Sequence, residues 1–85
     1  MTSKLLDQKG NSLVHIAAMN LNPNLIMILA NNGFDLNTQN NDGNTPLHYA
    51  CAMNGVKSID ILVQNGACEK IRNNEDKVPW EYSRN

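Results

Sequence analysis

The chain has few aromatic side chains, little net charge and no long apolar run. Trp, Tyr and Phe make up 5% of its 85 residues, although hydrophobic residues make up 41%. Large rings usually supply much of the buried surface of a small protein, so the stability here must come from many aliphatic contacts. A chain of this size buries only about 60–65% of its unfolded surface. The sequence therefore predicts one small domain with a thin margin of stability.

The balance of charge argues against a nucleic acid as the partner. Seven lysines and arginines stand against eight acids, for a net charge of −1. The basic residues are scattered singly, whereas phosphate binding needs a clustered basic excess. The longest apolar run, residues 25–30, is far too short to cross a bilayer, and no secretory signal is recognisable. We expect a cytoplasmic or nuclear protein that binds neither nucleic acid nor membrane.

The residues needed for common kinds of catalysis are missing. Cys51 and Cys68 are too few for a disulfide framework, and a zinc site needs four ligands within tetrahedral reach. No G-x-S-x-G elbow or glycine-rich phosphate loop occurs. We interpret Cys51 as a buried small residue and Cys68 as an exposed thiol. We expect no enzyme activity, no metal and no cofactor.

The chain repeats itself with a period of 33 residues, a length typical of stacked supersecondary units. Nine residue pairs are identical in this register: Gly10 with Gly43, Asn11 with Asn44, His15 with His48, Ala17 with Ala50, Ile26 with Ile59, Ile28 with Ile61, Leu29 with Leu62, Asn32 with Asn65 and Gly33 with Gly66. A third, partial copy follows, in which Asn40-Asn41 corresponds to Asn73-Asn74, Pro46 to Pro79 and Tyr49 to Tyr82.

Each copy begins with a turn and a helix start. In the second copy, residues 42–44 form a turn signal, because glycine supplies a positive φ. Thr45 then caps a helix that begins at Pro46, where the missing N–H of proline costs nothing. In the first copy, Pro23 suits the start of a second helix in the same way. The pattern predicts two short helices in each copy.

The apolar residues follow helical spacing. The first helix of the second copy places mostly small residues at i, i+3 and i+4, namely Leu47, Ala50 and Cys51. The second helix carries Ile59, Ile61, Leu62 and Val63. Asn54-Gly55 is expected to end the first helix and Asn65-Gly66 the second, because these residues accept the left-handed conformation.

The second copy carries a complete family signature. Residues 45–50 read T-P-L-H-Y-A and match the motif T-P-L-H-x-A, so the sequence resembles the ankyrin-repeat family, which has the same period. The match is looser in the first copy, where residues 12–15 read S-L-V-H, and weaker in the third, where Asp76 replaces the family's glycine. The resemblance implies an all-α solenoid of stacked helix-turn-helix units with connecting β-hairpin-like loops.

The resemblance also implies a division of the chain and a set of structural residues. One domain spans residues 1–85, with repeat 1 over about 7–39, repeat 2 over about 40–72 and a partial repeat 3 over about 73–85. In this family the motif histidine hydrogen-bonds to the cap threonine and to the backbone of the adjoining hairpin. The structural residues are therefore His15, His48, Thr45, Pro46, Gly10 and Gly43.

The resemblance also implies that the binding surface lies on the concave side, which is formed by the hairpin tips and the outward face of each first helix. The candidate partner-binding residues are Tyr49, Met53, Asn41, Asp42, Asn44, Met19, Asn20 and Lys9. Tyr49 and Met53 lead this set, because an aromatic anchor beside a pliable methionine suits a binding surface. The alternative for Tyr49 is packing on the neighbouring helix, and Tyr82 would continue its row.

The function that follows is a non-catalytic scaffold that binds another protein. The rival hypothesis is an accessory segment of a larger enzyme or ligand-binding protein, since ankyrin repeats accompany kinases, acyltransferases and acyl-CoA-binding domains. A third is self-association. Each repeat contacts only its neighbours and needs caps, so Leu6, Val78 and Trp80 are expected near unprotected ends, where copies could associate end to end.

Overall fold

The structure is a computed structural model that describes residues 8–83. It contains four α-helices and a short 3-10 helix in this part of the chain. Their bounds are α1 Leu13–Met19, α2 Pro23–Asn31, α3 Pro46–Ala52, α4 Val56–Gln64 and the 3-10 helix Pro79–Tyr82. Helix α1 packs against α3, and α2 against α4. Each helix therefore contacts its counterpart one repeat further along, and the predicted solenoid is confirmed.

The core lies along the first helices and is built largely from small side chains. Its fully buried members there are Val14, Ala17, Ala18, Leu47, Ala50 and Cys51. Small residues let neighbouring helices approach closely, so successive repeats can stack at a short distance from each other. The second helices add larger aliphatic groups, with Ile26 and Leu62 fully buried. The scarcity of aromatic residues fits this arrangement, since the narrow space between helices leaves little room for a ring.

Cys51 is buried, as expected, and Cys68 is exposed. Burial raises the pKa of the Cys51 thiol to about 11, and the negative charge of Glu69 adds to the effect. Cys51 is therefore protonated at neutral pH, whereas a cysteine that acts as a nucleophile or metal ligand does so as the thiolate. Cys51 therefore serves as a small apolar residue between helices.

The pair Asn54-Gly55 follows the end of α3, as expected, but only one of its residues is left-handed. Gly55 has an ordinary φ of −82° and is the N-cap of α4. The residue before it, Asn54, takes a positive φ of 56°, and Leu21 takes a φ of 52° at the same point of repeat 1. Asparagine tolerates this conformation, but leucine adopts it at a cost. A Cβ on residue 55 would also lie 2.6 Å from Leu21 Cδ2.

Residues at equivalent positions of the two repeats differ in their exposure. Pro46 and Ser58 of repeat 2 are buried, but Leu13 and Leu25, which hold the same positions in repeat 1, are 38% and 36% exposed. At the other end Trp80 is 41% exposed, and its indole N–H donates to Glu69. Val78 is half-buried. Leu6 lies outside the described residues.

Two glycines with similar backbone angles allow a test of how tightly the hairpin tips stack. Gly33 and Gly43 have φ of 84° and 78°, but a Cβ on Gly33 would meet nothing within 4 Å, whereas one on Gly43 would lie 2.7 Å from the backbone nitrogen of Asn74. We expect Gly33→Ala to cost about 1 kcal/mol for the left-handed backbone alone. Gly43→Ala should cost about 1–3 kcal/mol more, from overpacking.

Urea unfolding of both variants measures the difference. Equal losses of stability would mean that the tips of repeats 2 and 3 do not pack as closely as described.

Candidate protein-binding groove

The histidine of each repeat joins its own helix to the next hairpin. His48 Nδ1 accepts a hydrogen bond from the backbone N–H of Thr45 at 3.0 Å, and Thr45 Oγ1 lies 2.9 Å from the same nitrogen. Because Nδ1 accepts, the ring proton resides on Nε2, which donates to the carbonyl oxygen of Lys77 at 2.8 Å. The neutral ring thus bridges the start of α3 and the hairpin that leads into the 3-10 helix.

His15 repeats the arrangement one unit earlier. Its Nδ1 accepts from the backbone N–H of Ser12 at 3.0 Å, and its Nε2 lies 2.7 Å from the carbonyl oxygen of Asn44. The geometry matches the hydrogen bonds that the resemblance implied for both histidines. A ring with both nitrogens engaged in this way has no free lone pair for a metal ion.

Two buried asparagines organise the hairpins, a role that the sequence reasoning missed. Asn40 Oδ1 accepts from the backbone N–H groups of Asp42 and Asn44 at 3.0 and 2.9 Å. Its Nδ2 donates to Asn11 Oδ1 and to the hydroxyl of Tyr49, both at 2.7 Å. One amide therefore shapes its own turn and also joins it to the preceding hairpin and to helix α3.

Asn73 makes the same four bonds one repeat later. Its Oδ1 accepts from the backbone N–H groups of Glu75 and Lys77, and its Nδ2 donates to Asn44 Oδ1 and to the Tyr82 hydroxyl, both at 2.8 Å. The signal was present in the sequence, because Asn40-Asn41 and Asn73-Asn74 stand 33 residues apart.

The hairpin tips are stacked by backbone and amide bonds. The backbone N–H of Asn41 donates to the Lys9 carbonyl at 2.9 Å, and that of Asn74 to the Asp42 carbonyl at 3.0 Å. The Asn74 side chain also donates to the carbonyl of Asn41 at 2.8 Å. These hydrogen bonds hold successive hairpin tips side by side, so residues at equivalent positions of successive repeats form rows.

One such row consists of the two tyrosines. The ring of Tyr49 meets His15 edge to face at a centroid distance of 6.0 Å, and Tyr82 meets His48 at 6.1 Å. Both tyrosines are half-buried. The prediction that Tyr82 continues the Tyr49 row is confirmed. The ring of Tyr49 therefore packs on the neighbouring repeat, as the alternative interpretation expected, and its role in binding a partner stays a prediction.

Two adjoining clefts lie along this row. The first, about 120 Å³, is lined by Asn44, His48, Tyr49, Ala52 and Tyr82. The second, about 240 Å³, is lined by Asp42, Asn44, Asn73, Asn74, Glu75 and Tyr82. Because Asn44 and Tyr82 line both, the clefts form one continuous surface, which we call the tyrosine groove. It joins the hairpin tips to the outward face of α3, the two elements expected to form the concave side.

Comparison with known families agrees with the geometry. A family model described as ankyrin repeats (3 copies) matches residues 2–74. The chain belongs to the ankyrin-repeat family. Ankyrin repeats are in general modules that bind other proteins. A search of curated proteins finds no match to the chain.

The candidate residues of this ankyrin segment differ in their surroundings. Lys9, Asn41, Asp42, Asn20 and Met53 are exposed and Met19 is half-buried. Asn44 is also half-buried, and its amide is engaged by Tyr49 and Asn73. Of the eight residues proposed from sequence, three line the tyrosine groove: Tyr49, Asp42 and Asn44.

Two further findings concern the described part of the ankyrin segment. Within residues 8–83, no three His, Cys, Asp or Glu side chains lie close enough together to hold a metal ion. The helices there are also too short, or not apolar enough, for one of them to span a membrane.

The bridging histidine should make stability depend on pH. Burial lowers the pKa of His48 below 6.5, and its hydrogen bond to Lys77 opposes this only partly. Between the lowered pKa and pH 6.5, His48 binds a proton in the unfolded chain but not in the folded chain. The contribution of His48 to the free energy of unfolding is therefore complete above pH 6.5 and is lost as the pH falls through the pKa of the folded state. Protonation would also place a hydrogen on Nδ1, against the Thr45 N–H.

Urea unfolding between pH 8 and pH 5 tests this, with His48→Ala as the comparison. At pH 8 the variant should be less stable by about 1–2 kcal/mol for the lost hydrogen bonds. The difference in the free energy of unfolding between the two proteins should narrow toward pH 5, because only the parent chain loses the stabilisation by His48. Parallel curves for the two proteins would contradict the assignment of a neutral, buried bridge.

Proposed function

We propose that this ankyrin segment binds a protein partner along the tyrosine groove and takes no part in catalysis. The observation that supports this most is the state of the two tyrosines. Their rings line open clefts, yet their hydroxyls are fixed by the buried amides of Asn40 and Asn73. A rigid, partly exposed aromatic ring loses little conformational entropy on binding, which is the property of interface anchors.

Methionine adds an adaptable neighbour to these anchors. Met53 is the C-cap of α3 and is 45% exposed, and its backbone N–H donates to the carbonyl oxygen of Tyr49, so the two residues are four apart on the same face of the helix. A short surface of this kind offers about 600–900 Å² on each side, enough for one interface of ordinary size. The alternative of an accessory segment within a larger enzyme or ligand-binding protein stays a prediction that the full reading frame decides.

Partner capture with variants of the groove residue Tyr49 and of its neighbour Met53 tests the proposal. Tyr49→Ala and Met53→Ala should each weaken retention of specific partners, identified by mass spectrometry, because a central anchor is typically worth more than about 1 kcal/mol. Met27→Ala is the matched control, since Met27 lies on α2 and is 40% exposed. Circular dichroism would verify that every variant is folded.

The result that contradicts the proposal is a partner set unchanged both by Met53→Ala, next to the groove, and by substitution of Asp42, which lines it. Met53→Ala carries this decision because Met53 has a largely exposed side chain, whereas Tyr49→Ala also removes hydrogen bonds within the fold.

Self-association is a second candidate, favoured by the open apolar positions of repeat 1. Leu13, Leu25 and Ile28 are 38%, 36% and 56% exposed, and burying them against a second copy would be favourable. Sedimentation velocity at tens of micromolar should then show a concentration-dependent dimer. A monomer that is independent of concentration would remove this candidate.

A further inference from the structure

The edge of the tyrosine groove carries two carboxylates in the same repeat position. Asp42 and Glu75 stand 33 residues apart, and Lys9 holds this position in the first repeat. All three are exposed. Among the described residues, the Asp42 carboxylate has neither an ion-pair nor a hydrogen-bond partner, and that of Glu75 only accepts from the Tyr82 hydroxyl at 3.1 Å. Both line the larger cleft, so the groove offers negative charge beside its aromatic rings over repeats 2 and 3.

The ring of Tyr82 already holds a cation from its own chain. Lys77 Nζ lies 5.8 Å from the ring centroid, a distance at which an ammonium group is attracted to the face of an aromatic ring. The Lys77 side chain is exposed, so it can move away into solvent at little cost. The Tyr82 ring, with the Glu75 carboxylate beside its hydroxyl, therefore already accommodates a positively charged side chain.

The repeat sets the distance between the two carboxylates. Helices packed side by side lie about 8–10 Å apart, so we expect equivalent residues of adjacent repeats, such as Asp42 and Glu75, to be separated by at most about 10 Å. A polyproline II segment rises about 3.1 Å per residue with three residues per turn. Side chains three residues apart on such a segment therefore point the same way and lie about 9 Å apart.

We propose that the partner presents an extended basic segment to the tyrosine groove, with two lysines or arginines three residues apart. One cation lies against Asp42, and the other lies against Glu75 and takes the place of Lys77 on the Tyr82 ring. This inference rests on the proposed function and adds the chemistry of the partner.

Fluorescence anisotropy with labelled eight-residue peptides tests the proposal on the full chain. The probe has two arginines three residues apart in a serine and glycine background, and the comparison peptides have adjacent arginines or two glutamates. The first peptide should bind best, and its affinity should fall as salt is raised from about 50 to 500 mM. Equal binding of the two arginine peptides would overturn the one-repeat spacing, and equal binding of the glutamate peptide would overturn the charge complementarity.

Substitutions that remove a negative or a positive charge should change the affinity of the peptide in opposite directions. Asp42→Asn and Glu75→Gln should each weaken binding about two- to fivefold, the effect of an exposed ion pair. Glu75→Gln keeps an oxygen acceptor for the Tyr82 hydroxyl, so it changes the charge alone. Lys77→Gln should strengthen binding by a similar factor, because it frees the ring and removes a like charge. Asp60→Asn on the exposed face of α4 is the control and should have no effect.

Unchanged binding in Asp42→Asn and Glu75→Gln, or weaker binding in Lys77→Gln, would overturn the proposal. Capture of the natural partner distinguishes failure of the basic-segment proposal from failure of the proposed function. If a captured partner is lost with Met53→Ala but retained by the Asp42→Asn/Glu75→Gln double variant, the groove remains the binding surface and the basic segment is wrong. If neither variant loses the partner, both proposals fail.

Discussion

Every boundary between repeats buries polar groups, and the rest of the structure depends on their finding partners. The hairpin that enters a repeat brings backbone N–H and C=O groups to a boundary where water is scarce, and leaving one unpaired costs about 1–3 kcal/mol. His48 and Asn73 satisfy these groups across one boundary, and His15 and Asn40 across the other. No buried side-chain nitrogen or oxygen among the described residues lacks a hydrogen-bond partner. In a chain with few large rings, this polar network fixes the register of the stack.

The same network positions the two rings of the tyrosine groove. Tyr49 is held by the amide of Asn40 and by its edge-to-face contact with the His15 ring, so its position depends on two consecutive repeats. Tyr82 is held in the same way by Asn73 and His48. The groove is therefore a property of the stack rather than of one repeat. A substitution that loosens a boundary is expected to affect binding without touching the partner.

The sequence was sufficient for the repeat, the helices and the tyrosine row, because all of these follow from residues that recur every 33 positions. It was less informative where the two copies differ. Leu21 takes a left-handed conformation that leucine normally avoids, and Asn54 takes the same conformation at the equivalent position of repeat 2, so the conformation belongs to the turn and not to the residue type. The role of Asn40 was also missed, since an asparagine near a glycine indicates a turn but does not reveal that its amide reaches a neighbouring hairpin and a helix.

The central claim is that buried amides, rather than the apolar core alone, join one repeat to the next. The most direct measurement is the free energy of unfolding of Asn40→Ala beside Asn24→Ala, whose side chain is exposed on α2. Asn40→Ala should lose about 1–3 kcal/mol, because it leaves buried donors and acceptors without partners, while Asn24→Ala should stay within about 0.5 kcal/mol of the parent. Equal stability of the two variants in urea would contradict the account.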